Sequence, residues 1–231
     1  MADRKSGAFD HVDMAAPAGD RVMPLFSLKG RTAIVSGAGA GIGLAVAQAL
    51  AEAGANVAIW YNSNKQAVAE AANMEKTFGV KCRAYQVNVV SAADVERAIN
   101  DIVNEFNGRL DVFVANSGIG WPDGPFLDGE PEMAKKVMTV NVDGDVCMAG
   151  KSLAVEWTGF ARVNTVSPGY IATDMLNYAD PHMVQLWNEK TVMGRQGSVN
   201  ELKGSYLYLA SDASSYTTGH DLIVDGGYTV P

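Results

Sequence analysis

Apolar residues in this chain fall into short runs separated by longer amphipathic stretches. Residues 32–35, 56–60, 82–89 and 110–115 are runs rich in Val, Ile, Ala and aromatic side chains, and they predict buried strands. Between them, 41–53, 65–78 and 92–106 predict helices. In the third helix Val95, Ala98, Ile99, Ile102 and Val103 recur at helical spacing, and Gly54, Gly79 and Gly108 follow the three helices as stops. Strands alternating with helices of this length predict an α/β fold, a doubly wound parallel sheet covered on both faces. Ligands bind such sheets beyond the carboxyl ends of the strands.

After residue 115 the rhythm changes. A Gly- and Pro-rich loop, 118–131, leads into a helical stretch at 132–140. Residues 141–145 (Asn-Val-Asp-Gly-Asp) are poor helix formers, and 149–157 is helical again. Residues 161–166 predict a strand that ends at Ser167-Pro168-Gly169. A long irregular segment then runs to Gly197. Residues 199–210 predict a helix capped by Ser198 or Asn200, and 222–224 a last strand closed by Asp225-Gly226-Gly227. Residues 1–25 are polar and aperiodic and predict a flexible arm before a single domain, 26–231, in which Phe26 and Leu28 open the packed part.

The first strand runs directly into Ser36-Gly37-Ala38-Gly39-Ala40-Gly41-Ile42-Gly43, with a helix behind it. Strand, glycine turn and helix bring bare backbone N–H groups and a helix N-terminus up to a phosphate. The spacing is G-x-x-x-G-x-G, and no register satisfies G-x-G-x-x-G. Gly37 suits a backbone conformation that a side chain disfavours, and bare Gly41 and Gly43 allow a pyrophosphate to approach the helix start.

Composition narrows the partners. The net charge of −8 argues against nucleic acid or an anionic membrane surface. Cys82 and Cys147 share no close spacing, and His11, His182 and His220 are scattered, so neither a disulfide nor a metal site is expected. No apolar run is long enough to span a bilayer, and the N-terminal stretch lacks the apolar core of a signal peptide. A cytoplasmic protein is expected.

Taken together, Ser36-Gly37-x-x-x-Gly41-Ile42-Gly43, Asn116-Ser117-Gly118, Asn141, Pro168-Gly169-x-x-x-Thr173 and the terminal Asp225-Gly226-Gly227 resemble the short-chain dehydrogenase/reductase family, from about Leu28 to the C-terminus. The stretches at 56–64, 109–118 and 151–157 are similar to its NADP(H)-dependent carbonyl reductases of ketoses and polyols, the sorbose and mannitol kind. The resemblance implies a single Rossmann-type sheet, a small carbonyl or polyol substrate, and a homo-oligomer. It places Ser36, Gly37, Gly41, Ile42 and Gly43 along the pyrophosphate and Asn88 and Val89 beside the adenine. Asn116 braces the sheet under the cofactor, and Gly118 leaves room for the ribose. Pro168, Gly169, Ile171 and Thr173 hold the nicotinamide end. Asn88 stands where the family usually has Asp. Pro168-Gly169 is also a good turn in its own right, and Asn116 a possible strand-end cap.

The chemistry of the second strand's end bears on cofactor choice. NAD sites place an acid there for the ribose hydroxyls, and that acid would repel a 2′-phosphate. Here the strand ends Trp60-Tyr61-Asn62-Ser63-Asn64-Lys65, with no acid. Tyr61, Asn62, Ser63 and Lys65 are therefore candidates for holding NADP(H), with Asn62 and Ser63 as donors and Lys65 as counter-charge. Lys65 is equally at home as a solvated first-turn residue.

The family's chemistry also requires a Ser and a Tyr-x-x-x-Lys pair, with the Tyr passing a proton to the carbonyl oxygen as the cofactor passes a hydride. Only Tyr61–Lys65 has that spacing, and it lies at the adenosine end. Of the family's catalytic positions only Asn141 survives. Lys151 sits in a context that matches a later part of the helix than the catalytic Lys. The resemblance thus implies that one βα unit is missing near 145–150, leaving about six strands instead of seven. It also implies that the two helices of the usual dimer surface are shortened and join as a composite helix over 132–157. Three readings follow: a catalytically impaired reductase arising by splicing, gene misprediction or engineered deletion; a non-catalytic NADP(H)-binding or regulatory protein; and an enzyme with another proton donor, Tyr170 or Tyr178.

Overall fold

The computed structural model describes residues 16–17, 19–121, 129–143 and 150–230. In chain order they form β1 (Thr32–Val35), α1 (Gly41–Glu52), β2 (Asn56–Tyr61), α2 (Gln66–Phe78), β3 (Cys82–Gln86), α3 (Ala92–Glu105) and β4 (Val112–Val114). Then come α4 (Pro131–Met138), α5 (Gly150–Glu156), β5 (Thr165–Pro168), β6 (Ile171–Ala172), α6 (Pro181–Lys190), β7 (Gly197–Ser198), α7 (Val199–Ala210) and β8 (Asp221–Val224).

The first four strands make a parallel sheet in the order β3-β2-β1-β4. Strand alternation divides its side chains between two cores. Ala33, Val35, Val57 and Ile59 pack on one face against α1 and α2, with Tyr206, Leu207 and Ala210 of α7 closing that side. Ile34, Ala58 and Trp60 face the other way, against Ala98 and Ile102 of α3. The doubly wound arrangement is thereby realised, and its order reverses between β1 and β4. That switch point is where loops from both strands leave room for a ligand.

The sheet does not continue beyond β4. Among the described residues β5 pairs in parallel with β8, and β6 with β7, each as a separate two-stranded sheet. The single continuous sheet of about six strands is thus replaced by three sheets. Among the described residues no strand lies between β4 and β5 to supply the backbone partner that would join them. Phe113 on β4 is left 45% exposed, and Ile223 on β8 52%.

Other differences have local causes. The strand expected at 161–166 begins only at Thr165, because Arg162 turns the chain toward the end of α7. Its guanidinium donates to Leu209 O at 3.0 Å, Ser211 O and Thr217 O at 3.2 Å, and Ser214 Oγ at 2.8 Å. The segment expected to be irregular up to Gly197 instead holds β6, a 3₁₀ turn (Asp174–Tyr178), α6 and β7. The start of α6 was readable, since Asp180 caps it by accepting from His182 N, and Pro181 follows. In the 132–157 region α4 passes into a π-helical turn (Thr139–Asp143), and α5 begins at Gly150; residues 144–149, where a composite helix would continue, lie outside the described part. Most of the expected arm, 1–15 and 18, also lies outside it. Leu28 is fully buried, with its N–H donating to Ala53 O at 2.9 Å. Helix α7 carries a complete capping box between Ser198 and Glu201.

Candidate cofactor site

Three loops meet at the carboxyl ends of β1, β2 and β4. The first is the glycine turn. Gly37 and Gly41 both have positive φ, 60° and 58°, which their residue type permits at little cost. Ala40 is the N-cap of α1 and gives no side-chain oxygen to the first-turn N–H groups. Those donors, at the positive end of a 12-residue helix, suit an anionic group. A Cβ on Gly41 would lie 3.5 Å from Thr173 Cγ2, so the end of the Pro168–Thr173 motif is folded against the start of α1. A Cβ on Gly43 would instead lie 2.5 Å from Asn116 Nδ2 and 2.6 Å from Gly37 O. Its bareness is used to pack the helix on the turn rather than left open toward a ligand.

The second loop follows β4. The Ser36 hydroxyl, 1% exposed, accepts from the backbone N–H groups of both Asn116 and Ser117 at 2.9 Å. Asn116 Nδ2 returns bonds to Ser36 O at 3.1 Å and Gly37 O at 3.3 Å. Asn116 thereby ties the end of β4 to the end of β1, with Ser36 as the latch that receives it. Ser36→Ala removes the acceptor of two N–H groups and is expected to destabilise the chain by about 1–3 kcal/mol. Urea titration of the two proteins checks this, and an unchanged midpoint would rule the latch out.

Beyond Gly118 the π-helical turn presents Asn141. Its Oδ1 accepts from Ile119 N at 2.8 Å and its Nδ2 donates to Ile119 O at 2.9 Å. One N–H and one oxygen lone pair of the amide clamp this loop, and a Cβ on Gly118 would lie 3.5 Å from Asn141 Oδ1. Asn88 and Val89 sit after β3. Asn88 Oδ1 accepts from Val90 N at 3.2 Å in a turn leading to α3, and Val89 packs against the Trp60 core.

The third loop, 61–65, closes over the glycine turn from β2. Tyr61 is half-buried, and Asn62, Ser63 and Lys65 are exposed. Asn64 Nδ2 donates to Gly39 O at 3.1 Å and Gln86 Nε2 to Asn62 O at 2.9 Å. Neither Asn64 nor Gln86 was a candidate from sequence. Asn64 was findable as an Asx cap before α2, whereas no local pattern marks Gln86.

At the opposite end, Pro168-Gly169 packs on the C-terminal motif, where a Cβ on Gly169 would lie 2.7 Å from Asp225 Cα. Gly169 N donates to Val224 O at 3.1 Å, and Ile171 is buried in the β6–β7 pair. Tyr170 stacks on Trp187 with ring centroids 4.3 Å apart and meets Tyr228 edge-on at 5.2 Å. Burial, reinforced by its hydrogen bond to Tyr228, raises the Tyr170 pKa above the ordinary phenol value. That direction makes it a poorer proton donor. The Tyr178 side chain lies outside the described part. Lys151 is exposed on α5. Among the described residues no group of His, Cys, Asp or Glu is arranged to hold a metal ion, and no helix is long and apolar enough to cross a membrane.

A parallel α/β sheet with a glycine turn, an Asn-braced switch point and a Pro-Gly loop meeting at its carboxyl end defines a dinucleotide-binding protein of Rossmann type. The chain belongs to the short-chain dehydrogenase/reductase family. A family model described as "Enoyl-(Acyl carrier protein) reductase" matches residues 37–151 and 145–229, two stretches that overlap at 145–151. An L-xylulose reductase from Hypocrea jecorina is 57% identical, with 98% of this chain and 100% of the relative covered. That alignment spans 287 positions, against 231 residues here. A sorbose reductase from Candida albicans is 43% identical, with 91% of each covered. Among solved structures, an NADPH-dependent 3-quinuclidinone reductase from Rhodotorula rubra is 36% identical, with 94% of this chain and 98% of that chain covered and a TM-score of 0.86.

Proposed function

We propose that this chain binds NADP(H) at the β1–β2–β4 site, descends from a reductase of ketoses and polyols, and reduces no carbonyl on its own. The glycine turn and the unfilled N-terminus of α1 fit a pyrophosphate, and Thr173 closes over it. Asn62, Ser63 and Lys65 fit a ribose 2′-phosphate, and no carboxylate stands in their loop to repel one. Bound there, the cofactor would supply a hydride. The relatives' activities on xylulose and sorbose support the substrate class.

The loss of reduction rests on one observation: the only Tyr followed four residues later by Lys is Tyr61–Lys65, at the end of β2 beside the glycine turn. Nothing of that pattern lies near Pro168–Thr173. The family-model match broken at 145–151 and the alignment longer than the chain support a missing segment at that point, and the division of the sheet after β4 agrees with it. Asn141 does not replace the lost groups, because a carboxamide does not give up a proton as a general acid does, and its amide is engaged with Ile119.

Cofactor binding is tested by calorimetric titration. The chain is expected to bind NADPH more tightly than NADH. Asn62→Asp or Ser63→Asp is expected to reduce that preference about tenfold or more, since a carboxylate beside a phosphate within a partly desolvated loop costs more than one hydrogen bond. Tighter NADH binding by the unaltered chain would refute the NADP(H) reading.

A further inference from the structure

We propose that Asn64, assisted by Gln86, is a positioning residue that sets the cofactor preference by locking the 61–65 loop onto the glycine turn. This rests on the NADP(H) reading above and adds to it the device that makes the loop selective.

The loop is tied down through its backbone and through Asn64, while the side chains of Asn62, Ser63 and Lys65 reach solvent. Asn64 Nδ2 donates to Gly39 O at 3.1 Å, across from the glycine turn. The same side chain accepts at Oδ1 from Gln66 N at 3.1 Å, so one amide both starts α2 and ties it to the turn. The fit is close: a Cβ on Gly39 would come within 3.2 Å of Asn64 Nδ2 and 3.3 Å of its Cβ. Gln86, at the end of β3, holds Asn62 O at 2.9 Å from the other side. Ala38 N donates to Trp60 O at 3.0 Å, which fixes the base of the loop to the same turn.

The Asn62 side chain, the Ser63 hydroxyl and the Lys65 ammonium, by contrast, are exposed, and none of them has a side-chain partner among the described residues. A backbone clamped on both sides with its polar heads unspent is a preorganised receptor. Less ordering is left to occur when an anion arrives. The pyrophosphate turn and the 2′-phosphate loop belong to different βα units. Asn64 is the side chain that joins them, so it fixes the distance between the two anion subsites. A ligand with both anions gains from that fixed distance, and one lacking the 2′-phosphate gains little.

The test separates bracing from helix capping. Asn64→Ser keeps a good cap for α2 but is too short to reach Gly39 O. Asn64→Ala loses both. Gln86→Ala releases the other side. Affinities for NADPH, NADH and adenosine 2′,5′-bisphosphate are measured by calorimetry, with amide hydrogen exchange of residues 37–43 and 61–67 in the ligand-free chain. Both Asn64 variants are expected to weaken NADPH and the bisphosphate about tenfold, the worth of one well-made hydrogen bond, and NADH less than about threefold, with faster exchange in both loops. Gln86→Ala is expected to move in the same direction. An Asn64→Ser protein with unchanged exchange and an unchanged NADPH/NADH ratio would overturn the proposal and leave Asn64 a helix cap. Faster exchange in a chain that never preferred NADPH would instead refute the NADP(H) reading and, with it, the selectivity assigned to the brace.

Discussion

Inserting into this chain, at 145–151, a βα unit of the kind proposed to be missing there, taken from the Hypocrea jecorina relative, is expected to raise the melting temperature by about 10 °C or more. The elements on either side of 145–151 carry apolar groups that are only partly covered. Phe113 on β4 and Ile223 on β8 are half exposed, and Val155, Trp157 and Phe160, in and just after α5, are exposed as well, Phe160 to 73%. A buried aromatic side chain removes roughly 150–250 Å² from water, and each Å² is worth about 25 cal/mol. Covering part of this surface, and pairing the free edge of β4, supplies several kcal/mol. In chains of about this size 1 kcal/mol moves the midpoint by about 2–4 °C. The unaltered chain is correspondingly expected to bind a hydrophobic dye and to aggregate through the open edge. Scanning calorimetry of the two proteins is the check, and equal midpoints would show that the break costs nothing.

Much of this was legible in the sequence, for reasons that differ along the chain. The first half reads cleanly because β1 and β2 are buried on both faces and therefore carry unbroken apolar runs, while Gly follows both α1 and α3 and α3 shows a clear apolar stripe. The glycine turn reads cleanly because positive φ at Gly37 and Gly41 restricts residue type. What failed to read depends on contacts between distant residues. Gly43 looks like a ligand-facing glycine until Asn116, seventy-odd positions away, is seen to fill the space beside it. The start of β5 is set by Arg162 reaching the carbonyls at the end of α7, which no local pattern announces. The division of the sheet depends on which strand lies beside which, and only the missing Tyr-x-x-x-Lys hinted at it. Gln86 came to notice through a bond to Asn62 O, a partner set by strand order rather than by sequence distance.

The second large expectation concerns turnover. Hydride transfer to a ketone leaves charge on the oxygen, and a proton must arrive as that charge develops. General acid help is worth about 10²–10⁴-fold, and each donor to a developing oxyanion about 10²–10³-fold, so losing both leaves the rate down by roughly 10⁴-fold or more. Tyr61 and Lys65 flank the loop after β2 that Asn64 ties to the glycine turn, away from Pro168–Thr173 in the sequence motif order. Tyr170 is sandwiched against Trp187 and Tyr228 with its pKa raised, the wrong direction for an acid. Phe in place of Tyr170 is accordingly expected to change no rate.

The most direct test is NADPH oxidation with xylulose, sorbose and fructose, by this chain and by the chain with the relative's segment inserted, at NADPH concentrations that calorimetry shows to be saturating for each. Both proteins are expected to bind NADPH, the unaltered chain to consume it no faster than buffer, and the filled chain to turn over at least one ketose. Comparable turnover by the two proteins would refute the loss of catalysis.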